Sequence, residues 1–184
     1  VITGGTGGIG LVVSRWLAAQ SSTLSTRLVL CSRSGRLQPS VASGLHDKLG
    51  QANVLVWSID MAASSDVYRL ACYGTAACFA SVRGIWHAAG VLSDCVLSKQ
   101  DEQRLQRVWS PKSWGATALD WAFFTAAIQA HVLFSSISGL IGNAGQANYC
   151  AANSSLDARA IASRGAGRCS VGVEWGPWAE TGMS

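Results

Sequence analysis

Six short apolar, β-rich runs, separated by segments of helical periodicity, constrain the fold of this 184-residue chain more than any other feature. The runs lie at Val1–Thr3, Arg27–Cys31, Val54–Ile59, Gly84–Ala88, His131–Ser135 and Ser170–Trp175. Strand and helix that alternate six times predict an α/β fold, in which helices flank a doubly wound parallel sheet. Right-handed crossovers then give a Rossmann-like sheet with the strand order 3-2-1-4-5-6.

Length and composition predict one globular domain over residues 1–184. Hydrophobic residues make up 49% of the chain and charged residues 13%, which fits a sheet buried on both faces and excludes disorder. The longest apolar stretch, Trp121 to Ile128, is far shorter than the roughly 18 residues of a membrane span. The net charge of +4 is not concentrated in a basic patch. We therefore expect neither nucleic acid nor a membrane as a partner.

The first strand and the cysteines add two further expectations. The first run has three residues before a glycine loop, whereas a strand usually has about five, and the sequence stops soon after the sixth run. We therefore expect a sheet truncated at both ends, as a piece of a longer polypeptide. The six cysteines show neither CxxC spacing nor a matching histidine pattern. This predicts reduced thiols packed as small apolar residues, no metal site and a cytoplasmic location.

A glycine-rich loop, Thr3-Gly-Gly-Thr-Gly-Gly-Ile-Gly10, joins the first predicted strand to the first predicted helix. Glycines allow a tight turn and a close backbone approach, and the free N–H groups of a helix N-terminus attract a pyrophosphate. This context predicts a dinucleotide site, with a plain strand–helix connection as the alternative. The candidate contacts are Thr3, Gly4, Gly5, Thr6, Gly8, Ile9 and Gly10.

The end of the second strand indicates which dinucleotide binds. An NAD site carries an acidic residue about 20 residues beyond the loop, at the end of strand two. Here that strand ends in Cys31-Ser32-Arg33-Ser34, with an arginine and no acid. Since a guanidinium suits a 2′-phosphate, Ser32 and Arg33 predict NADPH as the cofactor. The alternative is that Arg33 is a solvated surface residue.

Further cofactor contacts are expected at the ends of strands three and four. Asp60, followed by Met61, could accept a hydrogen bond from an adenine amino group, or could instead be an ordinary turn residue or a helix cap before Ser64. His87 is expected to be a packed strand residue rather than a catalytic one. Small residues after it would let a ribose lie close to the fourth strand, and they are Ala88, Ala89 and Gly90.

A predicted strand ending in a serine and a helix carrying a tyrosine suggest the reaction chemistry. Ser136 lies thirteen residues before Tyr149, and Asn153 lies four residues after it, on the same helix face. The two hydroxyls could polarise and protonate a carbonyl oxygen. A tyrosine with a pKa of about 10 is a poor acid at neutral pH unless a positive charge lies nearby. In most short-chain dehydrogenases that charge is a lysine at the position of Asn153.

The chain resembles the ketoreductase domains of type I polyketide synthases, which belong to the short-chain dehydrogenase/reductase superfamily. That family exchanges the lysine and the asparagine, and it carries the lysine after strand four in a Pro-Lys-x-x-Gly-Ala setting. This sequence has Pro111-Lys112-Ser-Trp-Gly115-Ala116, with the lysine 24 residues before Ser136. Further matches are Thr3–Gly10, Ser32-Arg33-Ser34-Gly35, His87–Gly90, Gln146-Ala-Asn-Tyr149 and Glu174–Met183.

The resemblance implies an NADPH-dependent reductase of β-ketoacyl groups, which an acyl carrier protein presents on phosphopantetheine beside other domains of the same synthase. It implies that Tyr149 protonates the ketone oxygen, that Ser136 hydrogen-bonds it, and that Lys112 depresses the tyrosine pKa. Asn153 would hold a water or the lysine, and Pro177 would contact the nicotinamide. Two alternatives stay open: the same reaction in an animal-type fatty-acid synthase, and a non-catalytic scaffold domain.

The resemblance also suggests a product configuration. Family members of one type carry Leu-Asp-Asp shortly after the strand-four glycine, and those of the other carry a tryptophan eight residues before the tyrosine. Here the first site is Leu92-Ser93-Asp94, and the second is Ile141. We therefore expect the Leu-Asp-Asp type and a 3R (D) hydroxyl, with Leu92 and Asp94 as the residues that control stereochemistry.

Overall fold

A computed structural model of the chain describes residues 1–20, 26–49, 53–73 and 82–178. Within these ranges one parallel sheet has the spatial order β3-β2-β1-β4-β5-β6, which confirms the expected Rossmann-like fold. Every predicted strand boundary agrees with the structure to within one residue. The strands are β1 (Ile2–Thr3), β2 (Leu28–Ser32), β3 (Val54–Ser58), β4 (Gly84–His87), β5 (Ala130–Ser136) and β6 (Ser170–Trp175).

Helices cover both faces of the sheet. One face packs against α1 and α2, and the other packs against α3, α5 and α7. A π-helical turn over Ser110–Trp114 joins α4 to α5, so that the chain runs as one continuous helix through both. The helices are α1 (Gly8–Gln20), α2 (Pro39–Leu49), α3 (Ser64–Tyr73), α4 (Glu102–Trp109), α5 (Gly115–Ala122), α6 (Ser138–Ile141) and α7 (Ala147–Gly165).

Strand β2 shows why the β-rich runs are continuously apolar. Successive side chains of a strand point to opposite faces of the sheet. Leu28 and Leu30 pack towards α1 and α2, whereas Val29 and Cys31 pack towards α3 and α5. All four are at most 3% exposed. A strand that is covered on both faces therefore needs an apolar residue at every position.

Two groups of side chains fix α5, β5 and α7 relative to one another. Ala116, Leu133 and Leu156 belong to a small apolar cluster, in which each of these three elements is represented. Farther along the same elements, Asp120 accepts a hydrogen bond from Arg159 Nη1 at 2.7 Å and lies 3.4 Å from His131 Nδ1. Burial alone would raise the pKa of Asp120, but its hydrogen bonds to His131 and Arg159 outweigh that effect and lower it.

The described cysteines form no disulfide with one another, but they do not share one environment. Cys31 is buried in the core, whereas Cys72 and Cys169 are exposed. The expectation that the cysteines pack as small apolar residues is therefore wrong for these two, and Cys78 lies outside the described residues. In the part of the chain that the structure describes, every helix is too short or too polar to cross a membrane.

Candidate active site

A cavity of about 620 Å³ opens where the carboxyl ends of the central strands meet the loops that follow them. Its volume falls within the roughly 300–1,000 Å³ that is usual for small-molecule sites. Many of the residues singled out from the sequence line this one cavity. They are Gly4, Thr6, Gly8, Ile9, Gly10, Ser32, Arg33, Asp60, Met61, Ala88, Ala89, Gly90, Lys112 and Tyr149.

Three expected cofactor contacts do not line the cavity. Thr3 is fully buried, and its hydroxyl bonds to His87 inside the protein. Gly5 packs against β1, since a Cβ at Gly5 would lie 2.7 Å from the Ile2 carbonyl oxygen. Pro177 lies after β6 and is exposed. Thr3 and Gly5 therefore face the core, and they pack the glycine loop against the sheet rather than line the cavity.

The glycine loop crosses directly over the end of β4. Gly4 has a φ of 65°, and a Cβ there would lie 2.6 Å from the Ala88 carbonyl oxygen. The Gly7 N–H donates back to the Gly4 carbonyl oxygen at 3.0 Å, which closes a tight turn. Helix α1 then begins at Gly8, and its first residues line the cavity. Its unpaired N–H groups and its positive dipole end are therefore available to an anion.

Arg33 lies at the wall of the cavity with an exposed side chain. Its backbone is fixed, because the Arg33 carbonyl oxygen accepts a hydrogen bond from Ser58 Oγ at 2.8 Å. Ser32 Oγ accepts another from the Gly35 N–H at 3.2 Å. The guanidinium makes no ion pair with any residue that the structure describes. The backbone of Arg33 is thus fixed, and its guanidinium is left available to an anion.

The π-helical turn delivers Lys112 to the cavity. Pro111 lacks an N–H group and would clash with a carbonyl group in a regular α-helix, so a locally widened helix suits it. Lys112 is 4% exposed, and its Nζ donates to the Phe134 carbonyl oxygen at 3.0 Å. The same Nζ lies 5.4 Å from the centroid of the Tyr149 ring. Gly90 leaves room for the side chain, since a Cβ there would lie 2.9 Å from Lys112 Cε.

His87 fixes the backbone of this turn. The Lys112 carbonyl oxygen can only accept a hydrogen bond, so His87 Nε2 donates to it at 2.9 Å. Nδ1 of His87 then accepts a hydrogen bond from the Thr3 hydroxyl at 2.7 Å. Burial lowers the pKa of His87 to about 3, so the imidazole is neutral at physiological pH. His87 is therefore a packed strand residue, as expected, and it links β1 and β4 to the lysine.

Helix α7 places Tyr149 and Asn153 beside the end of β5. Asn153 is fully buried, and its Nδ2 donates to the Tyr149 carbonyl oxygen at 2.8 Å. Asn153 Oδ1 is buried without a hydrogen-bond partner among the described residues. Ser136 is 9% exposed, and its Oγ donates to Ser138 Oγ at 3.2 Å. A serine, a tyrosine and an asparagine thus converge beside the buried lysine.

The direction of the Tyr149 pKa shift differs from the expectation. Burial raises the pKa of the Tyr149 phenol, although the side chains of Asn153 and Ser136 oppose the rise. Burial lowers the pKa of Lys112 to about 8, against the opposing charge of Asp157. The tyrosine pKa is therefore raised on balance rather than lowered, and a lowering contribution from Lys112 stays a prediction. Burial is the largest cause of the raised tyrosine pKa, and the Lys112 ammonium lies 5.4 Å from the centroid of the tyrosine ring.

The loop after β4 is tied to the segment that precedes α7. Asp94 Oδ2 accepts a hydrogen bond from Gln146 Nε2 at 2.8 Å, and the Cys95 N–H donates to the Gly145 carbonyl oxygen at 2.8 Å. Leu92 and Asp94 do not line the cavity. They belong instead to the loop that borders the start of α7, which begins two residues before the tyrosine.

The structure adds site residues that the sequence analysis did not single out. Asn148 is 3% exposed, its Nδ2 donates to the Ser93 carbonyl oxygen at 2.9 Å, and its Oδ1 accepts from the Tyr149 N–H at 2.8 Å. In the sequence, its position next to Tyr149 could have indicated that Asn148 belongs to the site. Gln103 and Arg107 line the cavity from α4. Their spacing is that of an ordinary solvated helix face, so the sequence offered no signal for them.

The sheet order, the glycine loop and the lysine, serine and tyrosine cluster together define a Rossmann domain of the short-chain dehydrogenase/reductase type. Within that class, the model of the KR domain family matches residues 1–180. The chain therefore belongs to the KR domain family.

Relatives of known sequence are polyketide synthases. The chain is 44% identical over 186 residues to polyketide synthase GfsB of Streptomyces halstedii, and this match covers 100% of the chain and 3% of that protein. It is 36% identical over 184 residues to the spectinabilin polyketide synthase system protein NorB of Streptomyces orinoci, covering 99% of the chain and 8% of that protein. The chain thus spans a small part of the length of these relatives.

Similar solved structures are ketoreductases. PlmKR1, from the first module of phoslactomycin biosynthesis in Streptomyces sp. HK803, has a TM-score of 0.88 and 36% identity, covering 100% of this chain and 42% of that one. The first ketoreductase of the tylosin polyketide synthase has a TM-score of 0.86 and 37% identity, covering 100% of this chain and 39% of that one. The similar solved structures and the family model therefore assign the chain to the same family.

We predict that His87 makes stability depend on pH. An unfolded histidine takes up a proton at about pH 6.5, whereas folded His87 does so only at about 3. Stability is therefore lost as the pH falls through this interval, because the unfolded state binds the extra proton. A His87→Asn variant lacks this titration. The difference in Tm between wild type and variant should shrink from about pH 7 to about pH 5.

Thermal unfolding followed by circular dichroism measures this difference. Thr3→Val is the matched control, because it removes the hydrogen bond to Nδ1 but keeps the imidazole, so it should retain the pH dependence of the wild type. A Tm difference between wild type and His87→Asn that stays constant with pH would contradict the prediction.

Proposed function

We propose that the chain is the catalytic subdomain of a ketoreductase that reduces a β-ketoacyl thioester to the β-hydroxyacyl thioester, with NADPH as the cofactor. The observation that carries this proposal is the buried Lys112 ammonium, 5.4 Å from the centroid of the Tyr149 ring, at a cavity that a glycine loop also lines. When bound, the cofactor supplies a hydride to the ketone carbon. The chain's own residues supply the proton for the ketone oxygen and stabilise the negative charge that develops on that oxygen.

Tyr149 is the proton donor in this proposal. Its raised pKa keeps the phenol protonated at neutral pH, so that it can give its proton to the ketone oxygen as the carbon accepts the hydride. The carbonyl thereby becomes a CH–OH group and the phenol becomes a phenolate. Ser136 donates a hydrogen bond to the same oxygen while negative charge develops on it. Lys112 stabilises the phenolate, and Asn153 Oδ1 can accept a hydrogen bond from a water or from the lysine that returns the proton.

The residues present fit a phosphorylated dinucleotide. The start of α1 offers N–H groups to a pyrophosphate, and the guanidinium of Arg33 suits a 2′-phosphate. Asp60 Oδ1 accepts a hydrogen bond from the Ala62 N–H at 2.9 Å, so one oxygen closes a turn. Its second oxygen is left for an adenine amino group. The turn role of Asp60 is therefore compatible with the proposed adenine contact.

We further propose that residues 1–184 act within a longer synthase, with a phosphopantetheine-bearing acyl carrier protein and the other domains of that synthase as partners. The small share of each curated relative that the chain covers supports this proposal. The names of these relatives favour polyketide synthesis over the same reaction in a fatty-acid synthase.

The first test measures NADPH oxidation by the full-length protein with a β-ketoacyl thioester. Tyr149→Phe should lower kcat by at least about 100-fold, because it removes the proton donor but little volume. Tyr68→Phe is the matched control, since Tyr68 is 69% exposed on α3 and should leave kcat unchanged. A wild-type protein without activity would favour the non-catalytic scaffold, whereas equal rates in wild type and Tyr149→Phe would rule out Tyr149 as the proton donor.

A second test addresses the cofactor. Arg33→Gln should reduce the preference for NADPH over NADH by about 10- to 100-fold in kcat/KM, because it removes a charged donor to the 2′-phosphate. Arg36→Gln is the control, as it lies in the same exposed loop but does not line the cavity. An unchanged preference in Arg33→Gln would contradict the assignment of NADPH through this residue.

We propose a 3R (D) product. Support comes from Asp94, the retained aspartate of Leu92-Ser93-Asp94, whose bond to Gln146 holds this loop against the start of the helix that carries Tyr149. Chiral chromatography of the reduced thioester should give the 3R alcohol from wild-type protein. A 3S alcohol would overturn the assignment.

A further inference from the structure

Beneath the proposed catalytic residues lies a carboxylate that the mechanism does not use. Asp157, one turn after Asn153 on α7, accepts a hydrogen bond through Oδ2 from Ser135 Oγ at 2.8 Å. Its Oδ1 is buried and has no hydrogen-bond partner among the described residues. Gly172 of β6 makes room for this atom, because a Cβ at Gly172 would lie 2.9 Å from it. The carboxylate is thus enclosed by β5, β6 and α7.

Ser135 connects Asp157 to the strand segment that holds the lysine. It lies between Phe134, whose carbonyl oxygen accepts from Lys112 Nζ at 3.0 Å, and Ser136. The Ser135 hydroxyl also lies 3.2 Å from the Asn153 carbonyl oxygen. The end of β5 is therefore clamped to α7 at the point where both elements supply site residues.

Among the described residues, one carboxylate acts on the charge of Lys112. The titratable groups that face Lys112 are His87 on β4 and Tyr149 and Asp157 on α7. His87 is neutral and Tyr149 is protonated at neutral pH, for the reasons given above. Among the described residues, Asp157 is therefore the negative charge that acts on the buried ammonium, and it raises the pKa of Lys112 against the lowering caused by burial.

We propose that Asp157 is a positioning residue, which keeps Lys112 in its ammonium form and aligns the end of β5 with α7 through Ser135. The inference rests on the proposed function, since it assumes that Lys112 acts as a cation during ketone reduction. It concerns a residue that touches neither the substrate nor the reacting atoms.

The test is the pH dependence of kcat for the full-length protein with NADPH and a β-ketoacyl thioester. The alkaline limb reports loss of the Lys112 proton, because its pKa of about 8 lies below the raised pKa of Tyr149. Asp157→Asn keeps the acceptor for Ser135 but removes the charge. We expect its alkaline limb to move to lower pH by about one unit.

Ser135→Ala is the matched variant, because it removes the hydrogen bond and keeps the carboxylate. It should lower kcat without moving the limb. An unmoved limb in Asp157→Asn, or an equal displacement in Ser135→Ala, would overturn the proposal. So would loss of the cooperative thermal transition in Asp157→Asn, which would assign the carboxylate to folding alone. A wild-type protein without reductase activity would instead refute the proposed function and the inference with it.

Discussion

The hydrogen bond from Lys112 Nζ to the Phe134 carbonyl oxygen is the contact on which the site depends. It joins the helix that carries the lysine to the strand that carries Ser136. An ammonium in the interior is costly unless hydrogen bonds and opposite charge offset the loss of water. Here the carbonyl oxygen, the Tyr149 ring and the charge of Asp157 provide that compensation.

Much of the surrounding structure makes this burial sterically feasible. The π-helical turn accommodates Pro111 and brings the lysine to the cavity, while Gly90 leaves space for its side chain. His87 holds the turn's backbone as a neutral imidazole, with Nε2 as the donor and Nδ1 as the acceptor. Away from the cavity, Asp120 on α5 interacts with His131 on β5 and with Arg159 on α7, and these contacts hold both helices against the strand. Fold and site are thus coupled through a few hydrogen bonds.

The sheet could be predicted from the sequence, because strands that are covered on both faces must be apolar throughout, and such runs are visible in a sequence. The position of Lys112 could be predicted through its motif. Spacing alone could not indicate that Thr3 and Gly5 face the core, since a loop has no periodicity that assigns a side. It also could not give the direction of the Tyr149 pKa, which burial decides. Asp157 escaped notice because one more polar residue on a helix looks like part of a solvated face.

The central claim is that Lys112 is a buried cation coupled to the reacting tyrosine. The most direct measurement is an NMR titration of the Lys112 side chain in the full-length protein, assigned by comparison with a Lys112→Arg variant. The structure predicts a pKa of about 8. A pKa near the ordinary lysine value of about 10.4 would show a solvated side chain and would contradict the account.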